Sequence, residues 1–177
     1  GEVAVSLAPE IIKRNEEIDL AYKIAKVINT PYHNLNKINL KEFWLLKNKE
    51  AGDKKITDEE YEQLKKRKLT NADIQRLKIE RISDDELSTF NELDKEAAYI
   101  YYLMNKGYYY EEKIIKGENV TEKEYAYIAE NAHLFKGFNT KLRWERHYLY
   151  GDTLREILGN VSNSNQGIPY ELKNYYL

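Results

Sequence analysis

Polar and apolar residues alternate near the start of this chain and recur at helical spacing through its middle. Residues 2–8 (EVAVSLA) alternate, which predicts a strand. Residues 15–29 predict a helix, because their apolar residues form one stripe at helical spacing. The members of that stripe are Ile18, Tyr22, Ala25 and Ile28, with Ile24 beside it. A second helix is expected to begin with Asn39 as its N-cap, since Glu42 stands three residues later.

Helix-start signals divide the middle of the chain. In each signal a Ser or Thr precedes an acidic residue by three positions, so that side chains satisfy the amide groups of the first turn. The pairs are Thr57 with Glu60, Thr70 with Asp73, Ser83 with Glu86 and Thr121 with Glu124. They predict helices near 58–68, 71–80, 84–90 and 122–132. Residues 92–106 predict one more helix, which Gly107 ends.

Two later stretches predict strands. Residues 108–116 mix tyrosine, isoleucine and charge, and residues 139–150 alternate clearly. The second stretch places five residues on one side: Leu142, Trp144, Arg146, Tyr148 and Tyr150. Because Arg146 shares that face with Trp144 and Tyr148, we expect its guanidinium to be partly buried and paired.

The order of these elements favours an α+β fold, because one run of helices interrupts the strands. We predict a small β-sheet base that holds a helical insertion, the head lobe. Residues 1–49 and 107–177 are assigned to the strand-bearing base, and residues 50–106 to the helical head lobe.

Composition excludes several classes of protein. The 177 residues are 42% hydrophobic and 33% charged, with a net charge of −2, which argues against nucleic-acid binding. Cysteine is absent from the sequence, which excludes disulfides, thiolate zinc sites and cysteine nucleophiles.

Candidate catalytic and metal-binding residues do not combine into a known pattern. His33, His133 and His147 lack the spacing of a helical metal site, so we expect solvated histidines and no metal or cofactor. Adjacent carboxylates occur at 16–17, 59–60, 84–85 and 111–112, where helix starts and turns explain them better than glycoside hydrolysis. Tyrosine clusters at 99–102 and 108–110 are interpreted as packing residues rather than a stacking platform for sugars or bases.

The last third of the chain contains a distinctive order of motifs. A Thr-x-x-Glu-Tyr helix start is followed by a strand with Arg-x-Tyr, a glycine, a helix that ends in Leu-Gly, and a Gly-Ile-Pro step. Their residues are Thr121, Glu124, Tyr125, Arg146, Tyr148, Gly151, Leu158, Gly159, Gly167, Ile168 and Pro169. In this order the motifs resemble the junction of the class B penicillin-binding proteins, where a non-catalytic N-terminal module meets the transpeptidase domain. The resemblance implies that Arg146, Tyr148, Gly151 and Gly159 are structural junction residues.

The same resemblance implies a function without catalysis. The family's active-site motifs are Ser-x-x-Lys, Ser-x-Asn and Lys-Thr-Gly, and none of them occurs in this sequence. The chain would be a pedestal that positions the transpeptidase domain of its parent protein and contacts membrane proteins of cell-wall synthesis, with a homodimer as a further partner. We expect an extracytoplasmic module, tethered to the cell membrane, that is a piece of a longer protein.

Two other interpretations come from the residues themselves. A stand-alone helical adaptor or regulator in the cytoplasm is compatible with the short, well-capped helices. A small glycosidase or sugar-binding protein would use the tyrosines and the adjacent carboxylates. A membrane span before residue 1 and a Ser-x-x-Lys motif after residue 177 in the parent gene would separate these interpretations from the pedestal.

Overall fold

Helices make up most of the residues that the computed structural model describes, which are 2–7, 14–108, 111–135 and 137–143. The helices are α1 (Arg14–Ala25), α2 (Lys37–Lys47), α3 (Lys49–Asp53), α4 (Asp58–Lys65), α5 (Asn71–Glu80), α6 (Asp84–Ser88), α7 (Glu92–Asn105) and α8 (Glu122–Glu130). The strands are β1 (Glu2–Leu7), β2 (Lys113–Lys116) and β3 (Phe138–Arg143), and short 3-10 turns occupy Tyr32–Asn34 and Ala132–Leu134. None of these helices is long and apolar enough to span a bilayer.

The predicted helix starts are confirmed. All four Ser or Thr pairs form reciprocal capping boxes, in which the N-cap side chain accepts from the third amide and the acidic side chain accepts from the N-cap amide. A fifth box, Asn91 with Asp94, begins α7 and was not among the predicted pairs. Helix starts are therefore local properties of this sequence.

The predicted start of the second helix was wrong. The N-cap of α2 is Asn36, whose extended backbone (φ −72, ψ 157) lets its side chain accept from the amide of Asn39 at 2.8 Å. Asn39 is thus the third residue of the helix rather than its cap. Asn36 has the extended backbone and the side-chain contact that an N-cap requires.

Helix ends differ more from the predictions than helix starts do. The first helix ends at Ala25 rather than Asn29, and the helix that begins at Asp58 ends at Lys65, before the positive φ of Arg67 (57°). Gly107 ends α7 as predicted, with φ +77°, a conformation that favours glycine. The short helix α3 was not predicted; its Gly52 lies so close to α2 that an added Cβ would be 2.8 Å from Leu45.

A three-stranded antiparallel sheet, in the order β2-β1-β3, joins residues that are far apart in the sequence. The predicted strand 2–8 is confirmed as Glu2–Leu7. Of the predicted strand 108–116 only Lys113–Lys116 pairs with β1, because a turn around residue 111 precedes it. Of the predicted strand 139–150, Phe138–Arg143 is observed and 144–150 lie outside the described residues.

One apolar core connects the sheet to the long helices. Helix α1 packs along α7, and α2 and β2 also contact α7. Fully buried side chains come from each of these elements and from α8: Val5, Ile24, Phe43, Ile100, Ile115 and Ile128. Tyr22, a member of the predicted stripe, lies at the side of this core and donates to Asp94 of α7 at 2.6 Å. The core therefore includes α7, although the predicted head lobe contains that helix.

Helices α3, α4 and α5, which we call the outer helices, contribute little to this core. Their buried residues are Gly52 in α3 and Ile74 in α5, whereas α4 buries no residue. Helices α3 and α5 contact α2, and α4 contacts α5. Within the predicted head lobe, the outer helices thus bury few residues, whereas α7 belongs to the core.

Candidate functional site

The junction residues predicted from the sequence, Arg146, Tyr148, Gly151 and Gly159, lie outside the described residues. The described structure reaches that region through β3, which ends at Arg143 and contacts α8. The residues that fix α8 therefore also bear on the position of β3.

Glu124 and Lys116 form an ion pair in which both side chains are almost fully buried, at 5% and 10% exposure. Lys116 Nζ donates to Glu124 Oε1 at 2.8 Å and to Oε2 at 2.9 Å. Glu124 belongs to the first turn of α8 and Lys116 ends β2. The pair therefore holds α8 against the edge of the sheet.

Two backbone amides complete the coordination of the Glu124 carboxylate. The amide of Thr121 donates to Oε2 at 2.7 Å, as the capping box requires. The amide of Asn29, which follows α1, donates to Oε1 at 2.9 Å. One carboxylate thus ties together the start of α8, the end of β2 and the segment after α1.

The environment of Glu124 keeps it ionised. Burial raises the pKa of this carboxyl, but the hydrogen bonds from Lys116, Thr121 and Asn29 outweigh burial, so that the pKa lies below its usual range. A buried carboxylate with this many donors is a structural charge, because its lone pairs are already occupied. It is not free to act as a general base.

A second buried carboxylate holds the next residue of the same segment. Both the amide and the hydroxyl of Thr30 donate to Glu96 Oε1, the hydroxyl at 2.7 Å. Thr30 and Glu96 are buried, and Glu96 belongs to α7. Asn29 and Thr30 are therefore held by carboxylates from two different helices. We call Asn29, Thr30, Glu96, Lys116 and Glu124 the carboxylate clamp.

Sequence reasoning identified Glu124 as half of a capping box and as part of the Thr-x-x-Glu-Tyr helix start, but not as a buried charge. Its partners Lys116 and Asn29 are brought to it by the sheet and by the end of α1, and no local pattern specifies either contact. Glu96 did give a signal that was not used, because it directly precedes the apolar run that begins with Ala97 and Ala98. A carboxylate that continues an apolar helix face is a candidate for burial with donors.

The outer helices are joined by a different network. Arg81 donates to both carboxylate oxygens of Glu60, at 2.7 Å each, and to the carbonyl of Lys55 at 2.6 Å. Lys55 in turn donates to the carbonyl of Arg81 at 3.2 Å and pairs with Glu86 at 2.7 Å. The hydrogen bonds from Arg81, together with the amide of Thr57, lower the pKa of Glu60 to about 2. Lys55, which precedes α4, and Arg81, which follows α5, are therefore neighbours, so the segment that contains both helices begins and ends at the same place.

The histidines and adjacent carboxylates do not form a reactive site in the described structure. His33 and His133 lie in the two 3-10 turns and are exposed, and His147 lies outside the described residues. Within the described ranges no three His, Asp or Glu side chains are arranged to hold a metal ion. The carboxylates at 16–17, 59–60 and 84–85 stand in the first turns of α1, α4 and α6, as predicted.

The tyrosines of the two clusters that the structure describes differ in their exposure. Tyr101 packs against Phe43 with ring centroids 5.6 Å apart, and Tyr99, Tyr101 and Tyr102 are all half-buried. Tyr108 is 64% exposed, and Tyr109 and Tyr110 lie outside the described residues. For Tyr101, the interpretation as a packing residue is confirmed.

A groove of about 510 Å³ lies between α2 and α5, and we call it the α2–α5 groove. The wall from α2 presents Lys37, Ile38 and Lys41. The wall from α5 presents Ala72, Arg76 and Ile79, with Gln75 and Glu80 beside them. Ile38 is 58% exposed, so the groove offers an accessible apolar surface bordered by basic residues.

Comparison with known families gives a match along nearly the whole chain. The family described as the Penicillin-binding Protein dimerisation domain matches residues 2–176. Penicillin-binding protein 2A of Bacillus subtilis (strain 168) is 30% identical over 164 residues, which are 93% of this chain and 23% of that protein. Penicillin-binding protein H of the same organism is 23% identical over 96% of this chain and 28% of that protein. The chain thus spans about a quarter of the length of these relatives.

Solved structures show the same fold. Penicillin-binding protein 2B of Streptococcus pneumoniae (strain R6) superimposes with a TM-score of 0.65 at 18% identity, over 99% of this chain and 26% of that one. The same protein from strain 5204 gives a TM-score of 0.61 at 19% identity, over 99% of this chain and 27% of that one.

Proposed function

The chain belongs to the Penicillin-binding Protein dimerisation domain family, and from that premise we propose that it is the non-catalytic pedestal of a bacterial peptidoglycan transpeptidase. One observation supports the proposal. The family model matches residues 2–176 of this chain, yet the chain aligns with only 23% and 28% of the lengths of the two relatives. The rest of such a protein is long enough for a catalytic domain. This chain has no Ser-x-x-Lys, Ser-x-Asn or Lys-Thr-Gly motif with which to perform the chemistry itself.

A pedestal has to hold its partner domain at a defined position, and the carboxylate clamp supports this role. Glu124 and Glu96 fix the segment after α1 to α8 and α7, and Lys116 fixes α8 to the sheet. Buried, fully satisfied polar groups specify one arrangement more strictly than apolar packing does, because any alternative leaves a charge unpaired. The strand β3, which leads towards the proposed junction, contacts α8 directly.

In the cell this module would stand outside the cytoplasm, tethered to the membrane by another part of the parent protein. Its partners would be its own transpeptidase domain, membrane proteins of cell-wall synthesis and, as the family description suggests, a second copy of the chain. Arg146, Tyr148, Gly151 and Gly159 would connect the pedestal to the catalytic domain.

The helical head would contact the partners. The sequence predicts a head at residues 50–106. Because α7 packs into the core, we propose a narrower head that consists of the outer helices and α6. These helices project from α2 and bury few apolar residues of their own, which leaves their side chains available for contacts.

Labelling with a fluorescent penicillin tests the non-catalytic assignment. The purified chain should give no covalent band on a denaturing gel, because it lacks the Ser-x-x-Lys nucleophile and amine. The parent protein, labelled in parallel, should give one. A band on the isolated chain would contradict the proposal.

A deletion in the parent protein tests the head. Removal of residues 57–80 takes away α4 and α5 but keeps α7, and a short Gly/Ser linker can close the gap, because Lys55 and Arg81 are neighbours. We expect the shortened protein to bind penicillin normally and yet fail to localise to sites of wall growth. If it localises and supports growth like the parent, the outer helices make no essential contact.

A further inference from the structure

We infer that the α2–α5 groove receives an amphipathic helix of a partner protein, one whose apolar stripe is flanked by acidic residues. The inference rests on the proposed function and makes it more specific, because it names the surface of the head that binds and the chemistry of the segment that fits.

The groove is apolar along its floor and accessible from solvent. Ile38, Ala72 and Ile79 supply apolar surface, and Ile38 is 58% exposed at the start of α2. An exposed aliphatic side chain beside a concave apolar floor is typical of a binding groove, whereas isolated exposed apolar residues are common anywhere on a surface. Within the part of the chain that the structure describes, the lining residues come from α2 and α5, which contact each other.

The form of the partner follows from the walls. Both walls are helices, and their lining residues recur at three- to four-residue spacing, for example Ala72, Arg76 and Ile79. Both walls are helices and not strands, so an extended peptide would find no sheet edge to pair with. A helix satisfies its own backbone, and its apolar side chains can enter such a groove.

The charge of the partner follows from the rim. Lys37, Lys41 and Arg76 line the groove against one carboxylate, Glu80. Lys41 is committed to the end of α5, since its ammonium donates to the carbonyl of Ile79 at 3.1 Å. Lys37 pairs with Asp84 and Arg76 with Asp73, but both pairs are exposed, with the cations at 59% and 66% exposure.

Exposed ion pairs of this kind contribute only about 0–1 kcal/mol, so their cations can exchange partners at little cost. Acidic residues on both sides of an apolar stripe would meet Lys37 on one wall and Arg76 on the other. Such complementarity selects the partner and its orientation more than it adds affinity.

Site-specific photo-crosslinking in living cells tests the inference on the full-length parent protein. A photoreactive residue replaces Ile38 in one variant and Gln75 in another, both of which line the groove, and Lys66 in a control variant on the exposed end of α4. We expect both groove positions, and not the control, to crosslink to one segment that mass spectrometry identifies as an acidic amphipathic helix. An adduct with a second copy of this chain, with lipid or with a segment of another character would overturn the inference, as would the absence of an adduct.

Charge reversal then tests the role of the rim. The double variant Lys37→Glu/Arg76→Glu should lower the crosslinked fraction at least about tenfold, because like charges would face each other. Reversal of the acidic residues in the captured segment should restore it. The matched control Lys66→Glu/Lys68→Glu makes the same charge change away from the groove and should leave the crosslink unchanged. If the crosslinked fraction falls equally in the control variant, Lys37 and Arg76 do not select the partner.

The outcome is distinguishable from failure of the proposed function. If deletion of 57–80 disturbs localisation but the groove positions crosslink to nothing, the head has a partner elsewhere and only this inference fails. If the deletion is silent as well, the partner-binding role of the head fails with it.

Discussion

Helix α7 is held mainly by apolar burial, whereas the outer helices are held mainly by helix caps and exposed ion pairs. Helix α7 buries Ala97, Ala98, Ile100 and Met104 in the shared core, and its one buried carboxylate is hydrogen-bonded. The outer helices bury two residues between them and depend on capping boxes and on ion pairs with α6 and the turn before it. Apolar burial is worth about 25 cal/mol per Å², whereas an exposed ion pair contributes about 1 kcal/mol or less. The core should therefore resist change, and the outer helices should open first.

The largest expected effect comes from the carboxylate clamp. Glu124→Gln keeps the size of the side chain but removes its charge, which leaves Lys116 buried without an anion. Breaking a buried pair in this way should lower the free energy of unfolding by about 3–5 kcal/mol. Unfolding in denaturant measures this change in the free energy of unfolding. The double variant Glu124→Gln/Lys116→Met should recover part of the loss, and equal losses in the single and double variants would contradict an uncompensated charge as the cause.

The second effect tests the apolar core. Ile100 of α7 is fully buried, so Ile100→Ala should cost about 2–5 kcal/mol through lost burial and the cavity that remains. Ile38→Ala makes the same change at a 58% exposed position and is the control. Urea denaturation of both variants gives the comparison. If the two variants lose similar stability, α7 is not the central helix of the fold.

A smaller effect is expected in the outer helices. Thr70→Ala removes the N-cap of α5, whose hydroxyl accepts from the amide of Asp73 at 3.2 Å. The cost should be about 1 kcal/mol, and hydrogen exchange should rise in α5 before it rises in α7. Thr89→Ala changes an exposed threonine at the end of α6 and serves as the control. Simultaneous exchange in both helices would show that the outer helices unfold only with the core.

The smallest effect depends on pH. The pKa of Glu60 is about 2 in the folded chain and near 4.5 without its partners, because Arg81 and Thr57 donate to the ionised form. The stability from this group is therefore complete above about pH 4.5 and is lost as the pH falls through 2. The stability difference between the parent and Glu60→Gln should shrink over that window, and NMR titration should give the low midpoint.

Helix starts could be predicted because their causes are local. A Ser, Thr or Asn and an acidic residue three positions later satisfy the first amides of a helix whatever surrounds them. Thr57, Thr70, Ser83 and Thr121 were all found in this way. The N-cap of α2 was predicted at Asn39, whereas the structure has it at Asn36. The resemblance to class B penicillin-binding proteins was also available from the sequence, since it depends on motif order, and the family match confirms it.

Contacts between distant segments could not be predicted. The pairing of β1 with both β2 and β3, the burial of Lys116 against Glu124 and the two donors from Thr30 to Glu96 join residues 8 to more than 100 positions apart. The α2–α5 groove exists only because two helices that are separate in the sequence pack against each other.

By itself, then, the sequence of this protein determined where its helices begin, which faces are apolar, the family to which it belongs and the absence of catalytic motifs. The tertiary structure alone decided that α7 belongs to the core, that Glu124 and Glu96 hold the segment after α1, and which surface of the outer helices stays open. The physical reason is the distance along the chain over which each interaction acts. Capping and periodicity act within one or two helical turns, whereas burial of charge and apolar packing depend on segments that only folding brings together.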